Sequence, residues 1–195
     1  MARRAVIDAA RTLFVERGYG ATTIEAISSA SDVPQATVYR LFASKIGILK
    51  ALLDVSVGGD DEPVAVAERP HVRSALEAAR LEETLAQLAA LSVAINSRTG
   101  PIYRVLVSAA SADTEAAGLL DELTRQRQDG QGRVAGALAR AKALRSGLRA
   151  QDAADIIHAL ASPELYRLLA IDRGWSQERY EQWLAESLRG QLLRP

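Results

Sequence analysis

Through most of this chain apolar residues recur every three or four positions, and no apolar–polar alternation is sustained. Leu81, Leu85, Leu88, Leu91 and Ile95 form one such row; Ile102, Val105, Leu106 and Ala109 form another. Leu119, Leu120, Leu123, Val134 and Leu138, then Ile156, Ile157 and Leu160, then Tyr180, Trp183, Leu184, Leu188 and Leu192 continue it. Steps of three and four stack side chains on one helix face, whereas a strand needs a period of two. The expected fold is therefore all-α, eight to ten helices with no strand. Breakers set the expected ends. Gly58 to Pro63 reads as a linker, Arg98-Thr99-Gly100-Pro101 as a turn, and Ser146-Gly147-Leu148 as the close of a long helix ending near Arg145. Asp152 is the expected cap of the next helix, Pro163 its kink or restart, and Ser176 a plain cap for the last.

The first fifty residues carry a finer pattern. Val6, Ala9, Ala10, Leu13 and Phe14 lie on one face of a helix that Gly18 stops. Thr22 with Glu25 three residues later reads as a capping box, opening a helix with Ile24, Ile27 and Ala30 on its inner face. Ser31-Asp32-Val33-Pro34 is a turn. A second short helix is expected over Gln35–Phe42, with Val38 and Phe42 facing inward and Gln35, Ala36, Thr37, Tyr39 and Arg40 outward. Ser44 then caps a helix bearing Ile46, Leu49, Leu52 and Leu53. Two short helices, a four-residue turn and a small polar outer face make a helix-turn-helix.

The run Thr22-Thr23-Ile24, Ala30 to Val33, Thr37-Val38-Tyr39-Arg40-Leu41-Phe42-Ala43-Ser44-Lys45 and Leu49 resembles the N-terminal signature of TetR-type transcriptional regulators. Ser162 to Leu169 and Asp172 to Ser176 are similar to the C-terminal end of one large group of them. Two positions depart from the pattern: Asp32, where the family usually has Gly, and Leu41, where it often has His. The resemblance implies a DNA-binding head at 1–45 and a helical ligand-binding and dimerisation domain at 46–195. It implies DNA contacts from Thr23, Thr37, Tyr39 and Lys45, and a two-fold homodimer joined through the last two helices. It also implies a ligand-responsive regulator, most simply a repressor of a palindromic operator. Side-chain chemistry adds Gln35 and Ala36 as base readers, because Gln can pair with adenine and a methyl group can touch thymine. Arg40 stands beside them. For the effector, the apolar and central residues Leu88, Ile102, Leu106, Leu123, Ile157 and Tyr166 are the candidate lining, which suits a small, mainly apolar molecule. A helical scaffold or an enzyme unrelated to DNA is the competing reading.

Charge agrees with the division. Residues 1–50 hold seven basic and four acidic residues, and the remainder 17 and 20. There is no cysteine, so disulfides and thiolate chemistry are excluded, as suits a cytoplasmic protein. No apolar run approaches the ~20 residues of a membrane span, and Asp8 and Arg11 interrupt the apolar start, so an amphipathic helix is expected there. Gly130-Gln131-Gly132-Arg133-Val134-Ala135-Gly136 nearly spells a dinucleotide fingerprint, but its third glycine is one residue late and no strand precedes it. It is expected to interrupt a helix. His71 and His158 stand apart, which argues against a metal site, although His158 could face a ligand pocket. No nucleophile, base and orienter are grouped, so neither catalysis nor a cofactor is expected.

Overall fold

The computed structural model describes residues 1–58 and 81–194. Its helices are α1 (Ala2–Ala21), α2 (Ile24–Ser31), α3 (Gln35–Phe42), α4 (Lys45–Gly58), α5 (Leu81–Ala110), α6 (Thr114–Arg140), α7 (Ala150–Leu160), α8 (Pro163–Tyr166, running into a π-helical turn at Arg167–Asp172) and α9 (Gln177–Leu192). Among the described residues the only β feature is an isolated bridge between Leu144 and Leu193. The all-α expectation holds.

Two compact units divide the chain. One is made of the described residues of Met1–Glu62 with Arg98–Leu123, the other of those of Pro63–Ser97 with Thr124–Pro195. Both long helices, α5 and α6, contribute segments to each.

In the first unit α1 buries Val6, Ile7, Ala10 and Phe14 against Ile27 of α2, Val38 of α3 and Ile48, Leu49 and Leu52 of α4. Each such apolar side chain is worth roughly 1.5–3 kcal/mol when fully buried. Ile102 and Leu106 of α5 complete the same core. Gly18 breaks the helical path, where the sequence places a stop, but helix resumes after it to Ala21; its φ of 78° and ψ of 168° suit glycine alone. The start of α2 differs by one residue. Thr23 is the N-cap, its hydroxyl accepting from the Ala26 N–H at 3.1 Å, so Glu25 sits one place too early for a capping box. Thr22 is buried instead, its hydroxyl directed at the carbonyls of Gly18 (2.8 Å) and Leu13 (3.2 Å). Ala30 is exposed, and Val33 takes the inward place after the turn.

Three expectations in the long helices are corrected. Arg98 to Pro101 forms no turn: α5 runs through Pro101 unbroken. Proline removes one intrahelical bond, but Ile102 and Leu106 are wholly buried just beyond it. Just before it, the Arg98 guanidinium donates to the Ser56 and Val57 carbonyls at 3.0 Å each. The helix is held on both sides of its weak point. The glycine-rich run does not interrupt α6 either. Gln131, Val134, Ala135 and Leu138 keep one buried face in step while Gly132 points to solvent. That helix ends at Arg140, short of Arg145.

The second unit gathers Leu85 and Val93 of α5, Val134 and Leu138 of α6, Ile157 of α7, and Tyr180, Leu184, Leu188 and Leu192 of α9. Asp152 is not the cap of α7; Arg149 holds that place, and Asp152 sits in the first turn paired with the Arg149 guanidinium at 2.8 Å. Ser162 caps α8 with Pro163 at its first position, and Ser176 caps α9, accepting from the Arg179 N–H at 3.2 Å. Tyr166 and Tyr180 meet edge to face at 5.1 Å. Trp183 joins Tyr180 to Trp175, whose ring the Arg179 guanidinium covers at 4.0 Å. The expected linker residues beyond Gly58 and the start of the helix expected from residue 72 lie outside the described residues.

Candidate nucleic-acid interface

The head presents α3 on a scaffold of short-range constraints. Ser28 donates its hydroxyl to the Val33 carbonyl at 2.7 Å, and the Val33 N–H returns to the Ser28 carbonyl at 3.2 Å, closing the turn from α2. Asp32 takes the left-handed conformation (φ 54°, ψ 33°). Short polar side chains tolerate it, which is how aspartate stands where glycine is usual in the resembling family. Pro34 starts α3, its carbonyl accepting from the Thr37 N–H at 2.8 Å and the Val38 N–H at 3.1 Å. With Val38 and Phe42 anchored inward, Gln35, Ala36, Tyr39 and Arg40 are exposed together and Thr37 is half-exposed. This polar face is the right size for a major groove, where side chains at successive turns reach base edges and phosphates. Leu41 is exposed as well and offers no polar atom.

Thr23 is exposed at the start of α2. Its oxygen is committed to the cap, but its own proton remains free to donate, so one hydroxyl can both cap the helix and meet a phosphate. Lys45 is more committed. Its ammonium donates to the Tyr19 carbonyl at 2.8 Å and the Thr22 carbonyl at 3.0 Å, and lies 4.2 Å from the Tyr19 ring centre. Burial holds its pKa below the ordinary lysine value, partly opposed by Asp113. Burial, with Asp113 and Glu115, pushes the Tyr19 phenol up to about 12, so the ring stays neutral beneath the cation. Lys45 is thus first a clasp between α4 and the end of α1. One ammonium donor remains for a phosphate.

The junction of α3 and α4 is tight. Ala43 adopts φ 61° and ψ −39°, and the Ser44 N–H reaches back to the Phe42 carbonyl at 2.7 Å, a γ-turn of the rarer and more strained hand. Ser44 caps α4 through the Gly47 N–H at 3.2 Å, and a side chain at Gly47 would overlap the Phe42 carbonyl oxygen. The arginines of α1 divide. Arg3 lies over the Phe42 ring at 5.8 Å, Arg4 pairs with Asp8 at 3.1 Å, and Arg11 turns to the Ser56 hydroxyl at 2.8 Å. Tyr19, Thr22 and Gly47 were not singled out as site residues in the sequence. Their roles depend on a carbonyl or a ring contributed by another segment.

Residues 6–52 match the domain described as bacterial regulatory proteins, tetR family. The head is thus similar to the N-terminal domain of the TetR family. A Bacillus subtilis (strain 168) protein described as the uncharacterized HTH-type transcriptional regulator YvkB is 44% identical over 48 residues. That match spans a quarter of each chain. Over nearly the full length, the fold is shared with NalD, the secondary repressor of the MexAB-OprM multidrug efflux pump in Pseudomonas aeruginosa. The TM-score is 0.76 and the identity 20%, over 99% of this chain and 96% of NalD. A Saccharomonospora viridis protein solved in complex with choline aligns with a TM-score of 0.73 and 20% identity, over 100% of this chain and 98% of that one. At such identities the structural likeness concerns the fold.

The six candidate lining residues fall into two groups. Ile102 and Leu106 are buried in the core of the first unit, with Leu123 against it; Ile157 and Tyr166 are buried in the core of the second, with Leu88 against it. The second unit also holds a polar cluster. His158 Nδ1 is 2.8 Å from Oε1 of the buried Gln131, and its Nε2 is 3.3 Å from a terminal nitrogen of Arg127. Burial and the Arg127 charge hold the His158 pKa below its ordinary value, while Glu164 and Asp155 pull the other way. On the outer side of α7 and α9 an open groove of about 700 Å³ is lined by Ile156, Ala159, Leu160, Trp183, Glu186, Ser187, Gly190 and Gln191.

Proposed function

We propose that this protein is a sequence-specific transcriptional repressor that binds a palindromic operator as a homodimer in the cytosol and is released by a small, mainly apolar molecule. Residues 1–45 make the DNA contacts; residues 46–195 sense the effector and dimerise. The observation that carries the reading is the face of α3: Gln35, Ala36, Tyr39 and Arg40 exposed side by side, on a helix whose opposite face is locked into the core. Gln35 and Ala36 read bases, while Thr23, Thr37, Tyr39, Arg40 and the remaining donor of Lys45 meet the phosphates. A single helix-turn-helix buries too little surface for strong specificity, so two copies on a symmetric site are needed. The groove on α7 and α9, with Trp183 in its wall, is the face for the second copy. Its volume is space that a partner's side chains fill. Effector binding in the body favours a spacing of the two heads that no longer matches successive major grooves, a population shift.

The test is binding to duplex fragments from the region upstream of the protein's own gene. Binding is expected to saturate and to weaken steeply with salt. Gln35→Ala is expected to cost about 1–3 kcal/mol against one base position only. If no duplex gives saturable, salt-sensitive binding, the proposal fails.

A further inference from the structure

We propose that Arg127, oriented by His158 and Gln131, anchors the carboxylate of an organic acid bound in the second unit. This rests on the sensing role proposed above and names the chemistry of the effector. Guanidinium is a donor only. In the 3.3 Å pair Arg127 must therefore donate to His158 Nε2. The imidazole is then neutral with its proton on Nδ1, and that N–H donates to Gln131 Oε1 at 2.8 Å. Gln131 is 7% exposed. The tautomer is thus set by a buried amide, and the ring in turn holds the guanidinium.

Neither partner neutralises the charge it holds. Among the described residues no carboxylate pairs with Arg127, and its Nε is buried without a hydrogen-bond partner. Asp155 and Glu164, the acids near enough to act on His158, are both exposed. A part-buried cation supported only by neutral groups is costly until an anion meets it. The fork geometry of guanidinium suits a carboxylate. A single cation beside a neutral imidazole balances one negative charge, which a carboxylate carries and a phosphate dianion exceeds. The apolar remainder of such an acid would lie among the apolar side chains of the same unit, near Ile157 and Tyr166.

The chain has two histidines, so two imidazole Cε1–H signals report on it by NMR, and a His71→Gln variant assigns them. Benzoate, added to the full-length protein without DNA, is expected to shift the His158 signal saturably and to raise its pKa, because the anion offsets the Arg127 field. Benzamide at the same concentrations is expected to leave it in place. Arg127→Met is expected to abolish the benzoate response, and Arg127→Lys, which keeps the charge and the better chance of folding, to retain part of it. Equal responses to benzoate and benzamide, no saturation, or an unchanged response in Arg127→Met would overturn the assignment. A response to inorganic phosphate matching that to benzoate would overturn the choice of carboxylate. No duplex enters the measurement, so failure of the repressor reading appears in the DNA assay alone.

Discussion

Gly47, Asp32 and Lys45 show how much of the head depends on single side chains, present or absent. A methyl group at Gly47 meets a backbone oxygen that cannot retreat without opening the γ-turn at Ala43. Gly47→Ala is expected to lower the unfolding free energy by about 1–3 kcal/mol, the range for forced backbone strain, read from urea denaturation. At Asp32 the left-handed backbone predicts that Asp32→Gly is tolerated while Asp32→Val costs about 1–2 kcal/mol. Equal losses in the two variants would show that the aspartate carboxylate matters more than its backbone. For Lys45 the clasp onto Tyr19 and Thr22 changes what a substitution measures. Lys45→Ala is expected to weaken binding to all duplex sequences alike and, in addition, to cost about 1–3 kcal/mol of stability from its charge-assisted bonds. Thermal unfolding without DNA separates the two effects. His158 adds a pH dependence. Its pKa is lower in the folded state, so the unfolded chain binds more protons between that value and 6.5. Stability therefore falls as pH drops through this window and is level above it. His158→Gln is expected to remove the slope in denaturation curves taken from pH 7 downward.

Helices in this protein end where the rest of the fold permits, which makes α5 the informative one. Gly100-Pro101 is a strong local stop signal, yet the helix crosses it because Ile102 and Leu106 are buried beyond it and Arg98 grips the end of α4 before it. Pro101 is itself exposed, so its removal leaves no cavity. Pro101→Ala should therefore stabilise the protein by about 1–3 kcal/mol through the recovered helical bond and the relieved ring clash. A loss of stability in calorimetry would mean that the proline shapes a bend the core requires. The glycines of α6 teach the same lesson from the other side. Weak helix formers are carried when their neighbours Gln131, Val134 and Leu138 have somewhere to be buried.

Assembly is where the two ends of the chain meet functionally. On the proposed reading of a symmetric operator by two copies, the face formed by α7 and α9 offers the second copy a groove with an aromatic wall. Gly190 is exposed in that groove, with nothing within 4 Å of a side chain placed there. Gly190→Arg should leave the fold intact while converting dimer to monomer in sedimentation velocity. Operator affinity should fall with it, since the second half-site is lost. A variant that stays dimeric would move the interface elsewhere.

The helical period, the caps at Ser44 and Ser176, the span of α3 and its outward residues were all legible in the chain, because each depends on neighbours within a few positions. The family signature lies in the same local stretch, which is why it could be read from residues alone. What the chain order could not show was the partner of each polar group across space. Thr22 and Thr23 are adjacent threonines, and only the approach of α1 assigns one to the core and the other to the cap. Arg127, Gln131 and His158 stand 27 and 31 residues apart in their pairings, on two helices with no shared motif. A cation's environment is a property of the fold around it, so the cluster proposed to anchor an acid emerges only when α6 and α7 are brought side by side.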